Sequence, residues 1–125
     1  MIKPDIERIY KILKELPGTS VKVEIEDEVG EILSTPYYIY LKSEFLDGQL
    51  GYREDLEANS LIGNQEGDWQ ENWFVIGYDE EIGGDPLFID IANEDYPVFT
   101  AEHGMGEWDA LEMYDSLKEF VEDVT

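Results

Sequence analysis

Apolar positions return every three or four residues at the start of the chain. Ile6, Ile9, Tyr10, Leu13 and Leu16 fall on one side of a helix, with Pro4 suited to its first turn and Pro17-Gly18 to its stop. The period then changes to two. Val21, Val23 and Ile25 alternate with Lys22, Glu24 and Glu26, which predicts a strand with one wet face. A turn over 28–31 follows, and the aromatic run 37–41 after Pro36 predicts another strand.

Between 43 and 72 the pattern weakens under Gly48, Gly51, Gly63 and Gly67. Only Leu56, Leu61 and Ile62 stand out as anchors, and loops with a short helix near 53–61 are expected. The apolar runs 73–78 and 87–91, separated by a turn rich in Asp, Glu and Gly, predict a hairpin. A strand over 96–100 follows a turn at 93–95. Helical spacing returns in Leu111, Tyr114, Leu117, Phe120, Val121 and Val124, which predicts a C-terminal helix. Consecutive strands between terminal helices, without strand–helix alternation, predict one α+β domain over 1–125 with a largely antiparallel sheet.

Composition changes the picture through charge. The chain carries −23, yet its 42% hydrophobic content, with eight Tyr, five Phe and three Trp, is that of a folding chain. Residues 1–42 are nearly balanced, holding Lys3, Arg8, Lys11, Lys14, Lys22 and Lys42 against eight acids. From Ser43 onward only Arg53 and Lys118 oppose 23 acids, so −21 of the charge lies there. Such a surface repels nucleic acid and anionic membranes and attracts a cationic partner. The N-terminal residues suggest neither a signal peptide nor a membrane span, and the chain has no Cys; both point to a cytoplasmic protein. The missing thiols exclude disulfides, thiolate metal sites and thiol nucleophiles.

Candidate chemistry is sparse. His103 stands alone, without the second imidazole or Cys of a metal centre. Asp79, Glu80, Glu81 and Asp85 could attract calcium but lack the spacing of a calcium loop. The glycines match no phosphate loop, and no cofactor or metal is implied. Gly83-Gly84-Asp85-Pro86 reads first as a turn, with Gly for unusual backbone angles and Pro fixing entry to the next strand. Asp90 falls opposite Ile89 and Ile91, where it is either solvated or held by a backbone donor. A carboxylate hydrolase built on a pair such as Asp85 and Asp90 is the enzymatic alternative.

Five segments carry a resemblance in their order: Trp-Phe-Val-Ile-Gly-Tyr (73–78), Gly-Gly-Asp-Pro-Leu-Phe-Ile-Asp (83–90), Pro-Val-Phe-Thr-Ala-Glu-His-Gly (97–104), Gly-Glu-Trp (106–108) and Asp-Ser-Leu-Lys-Glu-Phe-Val (115–121). This stretch, about two-fifths of the chain, resembles bacterial members of the SUKH superfamily, the Smi/Knr group. The lack of Cys, of paired His and of a phosphate loop leads to the expectation that the chain works without catalysis, and the resemblance implies an α+β sheet domain that binds proteins. It also implies an immunity protein of the toxin–antitoxin kind, covering the active site of a cognate toxin, often a nuclease; other members are scaffolds or regulators of a housekeeping partner. The acids expected to meet such a toxin, or another basic protein, are those of the turns: Asp68, Glu71, Asp79, Glu80, Glu81, Asp85, Glu94, Asp95, Glu107 and Asp109. Trp69 and Trp108, set among Gly and acids, are the expected aromatic anchors.

Overall fold

The computed structural model describes residues 5–26, 28–50, 52–53, 57, 61–63, 68–80, 85–104 and 107–124; for residues 25, 26, 102–104, 107 and 109 the backbone alone is described. The fold is α+β. Helix α1 (Ile6–Leu13) leads into strands β1 (Ser20–Glu26) and β2 (Ile32–Ile39). A 3-10 turn (Lys42–Glu44) and the short helix α2 (Phe45–Gly48) follow, then β3 (Trp73–Asp79), β4 (Pro86–Asp90), β5 (Val98–Gly104), β6 (Glu107–Tyr114) and helix α3 (Leu117–Val124). Among the described residues the six strands form one antiparallel sheet whose spatial order is its chain order.

Asp5 opens α1 by accepting the Arg8 N–H at 3.1 Å, a side-chain cap for a donor the helix cannot satisfy itself. The helix buries Ile9 and Leu13 and ends at Leu13, ahead of the expected Pro17-Gly18 stop, with Leu16 packed against the core from outside it. Pro4 lies outside the described residues. The β1–β2 turn closes through Gly30, whose φ of 86° is open to glycine at little cost.

β2 starts at Ile32, well before Pro36, which therefore lies inside the strand rather than ahead of it. This is tolerated because β2 pairs with β3 only over Tyr37 to Ile39. The Pro36 nitrogen thus falls outside that ladder, while its carbonyl accepts the Glu80 N–H at 3.0 Å. Gly77 pairs with Ile39 at a close approach, where a Cβ would collide with the Tyr38 carbonyl oxygen.

A short helix that the sequence did not announce forms at Phe45–Gly48 and buries Phe45, whereas the helix expected near 53–61 falls, with Leu56, mostly outside the described residues. Leu61 is exposed and is no anchor, whereas Ile62 packs inward. The C-terminal helix begins at Leu117, and 107–114 form a sixth strand. Leu111 and Tyr114 match a helical spacing by coincidence; both are paired along β5. The true start is marked by Ser116, whose hydroxyl accepts the Glu119 N–H at 3.0 Å.

The sheet has two apolar faces. On one, Val21, Val23, Tyr37, Ile39, Phe74, Ile76, Leu87, Ile89 and Val98 pack beneath α1 and α3, which supply Ile9, Leu13, Leu117, Phe120 and Val121. On the other, Val75, Phe88 and Ala101 pack against Trp69. Both faces being covered explains why β4 reads as a continuous apolar run and not as an alternation.

Candidate functional site

The second face is where the sequence concentrates rings. Strand period two puts Tyr38 of β2 and Tyr78 of β3 side by side, with Tyr40 just beyond β2 and Val75 and Phe88 further along. Tyr38 and Tyr78 stack at 5.3 Å between centroids, and Tyr40 lies 6.0 Å from each. The belt continues through Trp69, which touches Tyr52 at 5.3 Å, Trp73 at 5.2 Å, Phe88 at 4.8 Å and Trp108 at 5.2 Å. Tyr38, Tyr40, Tyr52, Tyr78, Trp73, Phe99 and Trp108 are each half-buried. The result is a broad ring surface that is partly open to water.

Two expected anchors separate here. Trp69 is 2% exposed and donates its indole N–H to the Trp73 carbonyl at 3.2 Å, so it is the packing centre of this face and not a contact residue. That is a correction, caused by the residues 61–63 and 68–73 folding back across the sheet, where Ile62 bridges Trp69. Trp108 keeps a half-buried ring beside Tyr52 at 5.5 Å.

Carboxylates border the tyrosines. Glu44 accepts the Tyr38 hydroxyl at 2.7 Å and the Leu41 N–H at 2.8 Å through one oxygen. The backbone donor, followed by the hydroxyl, holds the Glu44 carboxyl below its usual range. Reciprocally, the hydrogen bond to Glu44, helped by burial, raises Tyr38 to about 12. Burial, with neighbouring Tyr52, Tyr78 and Glu44, raises Tyr40 to about 12. Burial and then Asp85 push Tyr52 up as well. The hydroxyls thus stay neutral donors through the physiological range. Glu80, exposed at the end of β3, accepts the Ser20 hydroxyl at 2.7 Å on this same face.

The expected acidic surface is not one surface. Asp85 and Glu80 lie at the β3–β4 end of the sheet, and the backbone of 107–109 belongs to that end too. Glu94 and Asp95 are exposed at the opposite end, where their carbonyls accept Arg8 Nη2 of α1 at 2.8 Å and the Leu117 N–H of α3 at 3.0 Å. Asp68 lies against Gly63, and Glu71 gives its carbonyl to Arg53 at 2.7 Å. Asp79 is 3% exposed and pairs with Tyr37 on the helix-covered face, where it adds to burial in raising the Tyr37 hydroxyl; its place on a contact surface is therefore withdrawn. Glu81, Gly83 and Gly84 lie outside the described residues, as do the side chains of Glu107 and Asp109.

Pro86 opens β4 opposite Tyr78, and the Asp85 carbonyl accepts the Asp79 N–H at 2.9 Å, closing the hairpin as its turn residues suggested. Asp90 ends the strand, its Oδ1 accepting the Ala92 N–H at 2.9 Å and Asn72 Nδ2 at 2.8 Å, one of the two expected arrangements. Asp85 and Asp90 flank a five-residue strand, about 16 Å apart at the usual rise, beyond the reach of a shared acid–base pair. Among the described residues no group of three or more His, Asp or Glu is placed to hold a metal, and no helix is long and apolar enough to cross a membrane.

Glu44 and the tyrosine cluster were not singled out from sequence, although Tyr37-Tyr38-Ile39-Tyr40 signals rings on both faces of one strand. Comparisons of this chain with protein-family models, with curated proteins and with solved structures give no match.

Proposed function

We propose that this protein acts by binding a cationic protein through the tyrosine-rich face of its sheet, with Glu44 and Glu80 beside the rings. The observation that carries this is the cluster Tyr38–Tyr40–Tyr78, half-buried, with its rings in mutual contact and carboxylates at its margin. Aromatic faces attract Lys and Arg side chains through their quadrupoles, and adjoining carboxylates add charge pairing. Rigid half-buried tyrosines lose little conformational freedom on binding, which is why such residues dominate contact energies. The −21 carried by residues 43–125 attracts a cationic partner to the molecule as a whole. The partner class we favour is a cognate toxin, with this protein as its immunity or inhibitor protein in the cytoplasm; that part rests on the resemblance of 73–121 to the SUKH superfamily.

The test is capture of the partner from native lysate at low salt, with elution by rising salt. Tyr78→Ala and the pair Glu44→Lys/Glu80→Lys should release it at lower salt, while Glu94→Lys/Asp95→Lys, at the other end, should not. A partner toxin should also lose its activity at one equivalent of this protein. Elution unchanged by the tyrosine and Glu44/Glu80 substitutions would overturn the assignment of the face.

A further inference from the structure

β1 and β6 stand at the two ends of the sheet order, so among the described residues each has one backbone edge with no strand beside it. The sheet curls until these edges approach: Val23 and Glu24 of β1 line one cleft with Leu111, Glu112 and Met113 of β6. The cleft holds about 320 Å³, and α3 reaches it through Asp123, which accepts the Tyr114 hydroxyl at 2.6 Å.

Register sorts the lining residues by face. Leu111 pairs with Thr100, which pairs with Leu87 of the helix-covered core, and Val23 belongs to that same core. Glu112 pairs with Phe99, whose ring stacks on Phe88 of the opposite face. Glu24 lies, by period two, on the side of Ser20, the partner of Tyr38. The cleft is therefore apolar toward the core and acidic toward the tyrosine face. Leu111 is 64% exposed within it, and none of its lining residues is basic.

We propose that this cleft accepts an extended segment of a cationic protein as an added strand, with apolar side chains alternating with Lys or Arg. Alternation places the apolar side chains on Val23, Leu111 and Met113 and the cations on Glu24 and Glu112, while the backbone takes up the open edge of β6 or β1. A second copy of this chain is a poor occupant: its own edges bring Glu24 and Glu112 against the same residues, under a net charge of −23. The proposal concerns a different surface from the tyrosine cluster and stands without it.

The probe is an acetylated, amidated octapeptide of alternating Lys and Val, titrated into the full chain by fluorescence anisotropy and by amide hydrogen exchange. Binding should protect amides of the outer edge of β6 or β1. N-methylation of the peptide on alternate residues, which removes the ladder donors and leaves charge intact, should weaken binding about tenfold or more. Glu24→Lys with Glu112→Lys should do the same, whereas Glu94→Lys with Asp95→Lys, an equal change of charge outside the cleft, should leave peptide affinity unchanged. Equal binding of the N-methylated peptide, protection confined to other strands, or no binding of the parent peptide would each overturn the proposal.

Discussion

The side-chain amide of Gln49 pairs with Val75 as a strand would. Its Oε1 accepts the Val75 N–H at 2.9 Å and its Nε2 donates to the Val75 carbonyl at 2.8 Å, with a further bond to the Phe45 carbonyl at 2.8 Å. β2 has left β3 by this point, since their pairing ends at Gly77, and β3 bulges between Val75 and Gly77. One glutamine thus completes the ladder and fastens α2 to the sheet. Gln49→Leu keeps the volume and orphans both Val75 groups, at a cost of about 2–4 kcal/mol. Urea unfolding should show this, and Gln49→Glu should be no better, because a buried carboxylate cannot donate to the two carbonyls.

Trp69 and Trp108 touch, yet they should respond differently. Trp69→Ala empties the centre of the outer face and should lose about 3–5 kcal/mol of stability. Trp108→Ala removes a ring that is already half in water, so the folding loss should be smaller, while partner affinity should fall. Thermal unfolding paired with a binding titration separates the two; equal stability losses would contradict the placement of Trp69 as core and Trp108 as contact.

The Tyr38–Glu44 pair makes stability depend on pH at both extremes. Tyr38 is raised from 10.0 to about 12 in the fold, so its contribution is complete below pH 10 and is lost as pH climbs toward 12. Glu44 is lowered by its two donors, so its contribution is present above its unfolded value and is lost as pH falls through the depressed one. Tyr38→Phe should flatten the alkaline slope of unfolding free energy between pH 10 and 12, and Glu44→Gln the acid slope. Tyrosinate absorbance should show the matching late titration of Tyr38.

Ser116→Ala removes the hydroxyl that caps α3 and should cost about 1 kcal/mol, with Ser116→Thr restoring most of it. Since α3 supplies Leu117, Phe120 and Val121 to the core, the loss should appear in global unfolding and not as local fraying. Denaturant midpoints of the three proteins decide this.

Periodicity revealed the elements whose burial is one-sided. α1 and β1 meet water along one face, so Ile9 and Leu13, or Val21 and Val23, repeat with the geometry of their element. β6 escaped detection because an edge strand with exposed Leu111 and Glu112 shows no clean alternation, while Leu111, Tyr114 and Leu117 chance to share a helical spacing. Ser116 followed by Glu119 was the readable signal of the boundary. The segment 43–72 was opaque for a different reason: its described residues are tied down by long-range polar contacts such as Gln49 with Val75 and Arg53 with the Glu71 and Trp73 carbonyls, which leave no local pattern. Of the candidate site, the aromatic run near Tyr38 was legible as a strand but not as a surface. Asp79 and Trp69 were misjudged because residue type suggested exposure where register and the fold-back of 61–63 and 68–73 imposed burial.

Because spatial order in the sheet repeats chain order, each strand pairs with the one made next, across a short connection except between β2 and β3, where residues 40–72 intervene. During synthesis the hairpins can assemble as they emerge. The exception is the last helix: α3 packs on α1 from the far end of the chain, over the face that holds Val23, Phe74 and Leu87. Until α3 has been made and has docked, that apolar face stays open to water, so a chain still lacking α3 is the form most prone to aggregate.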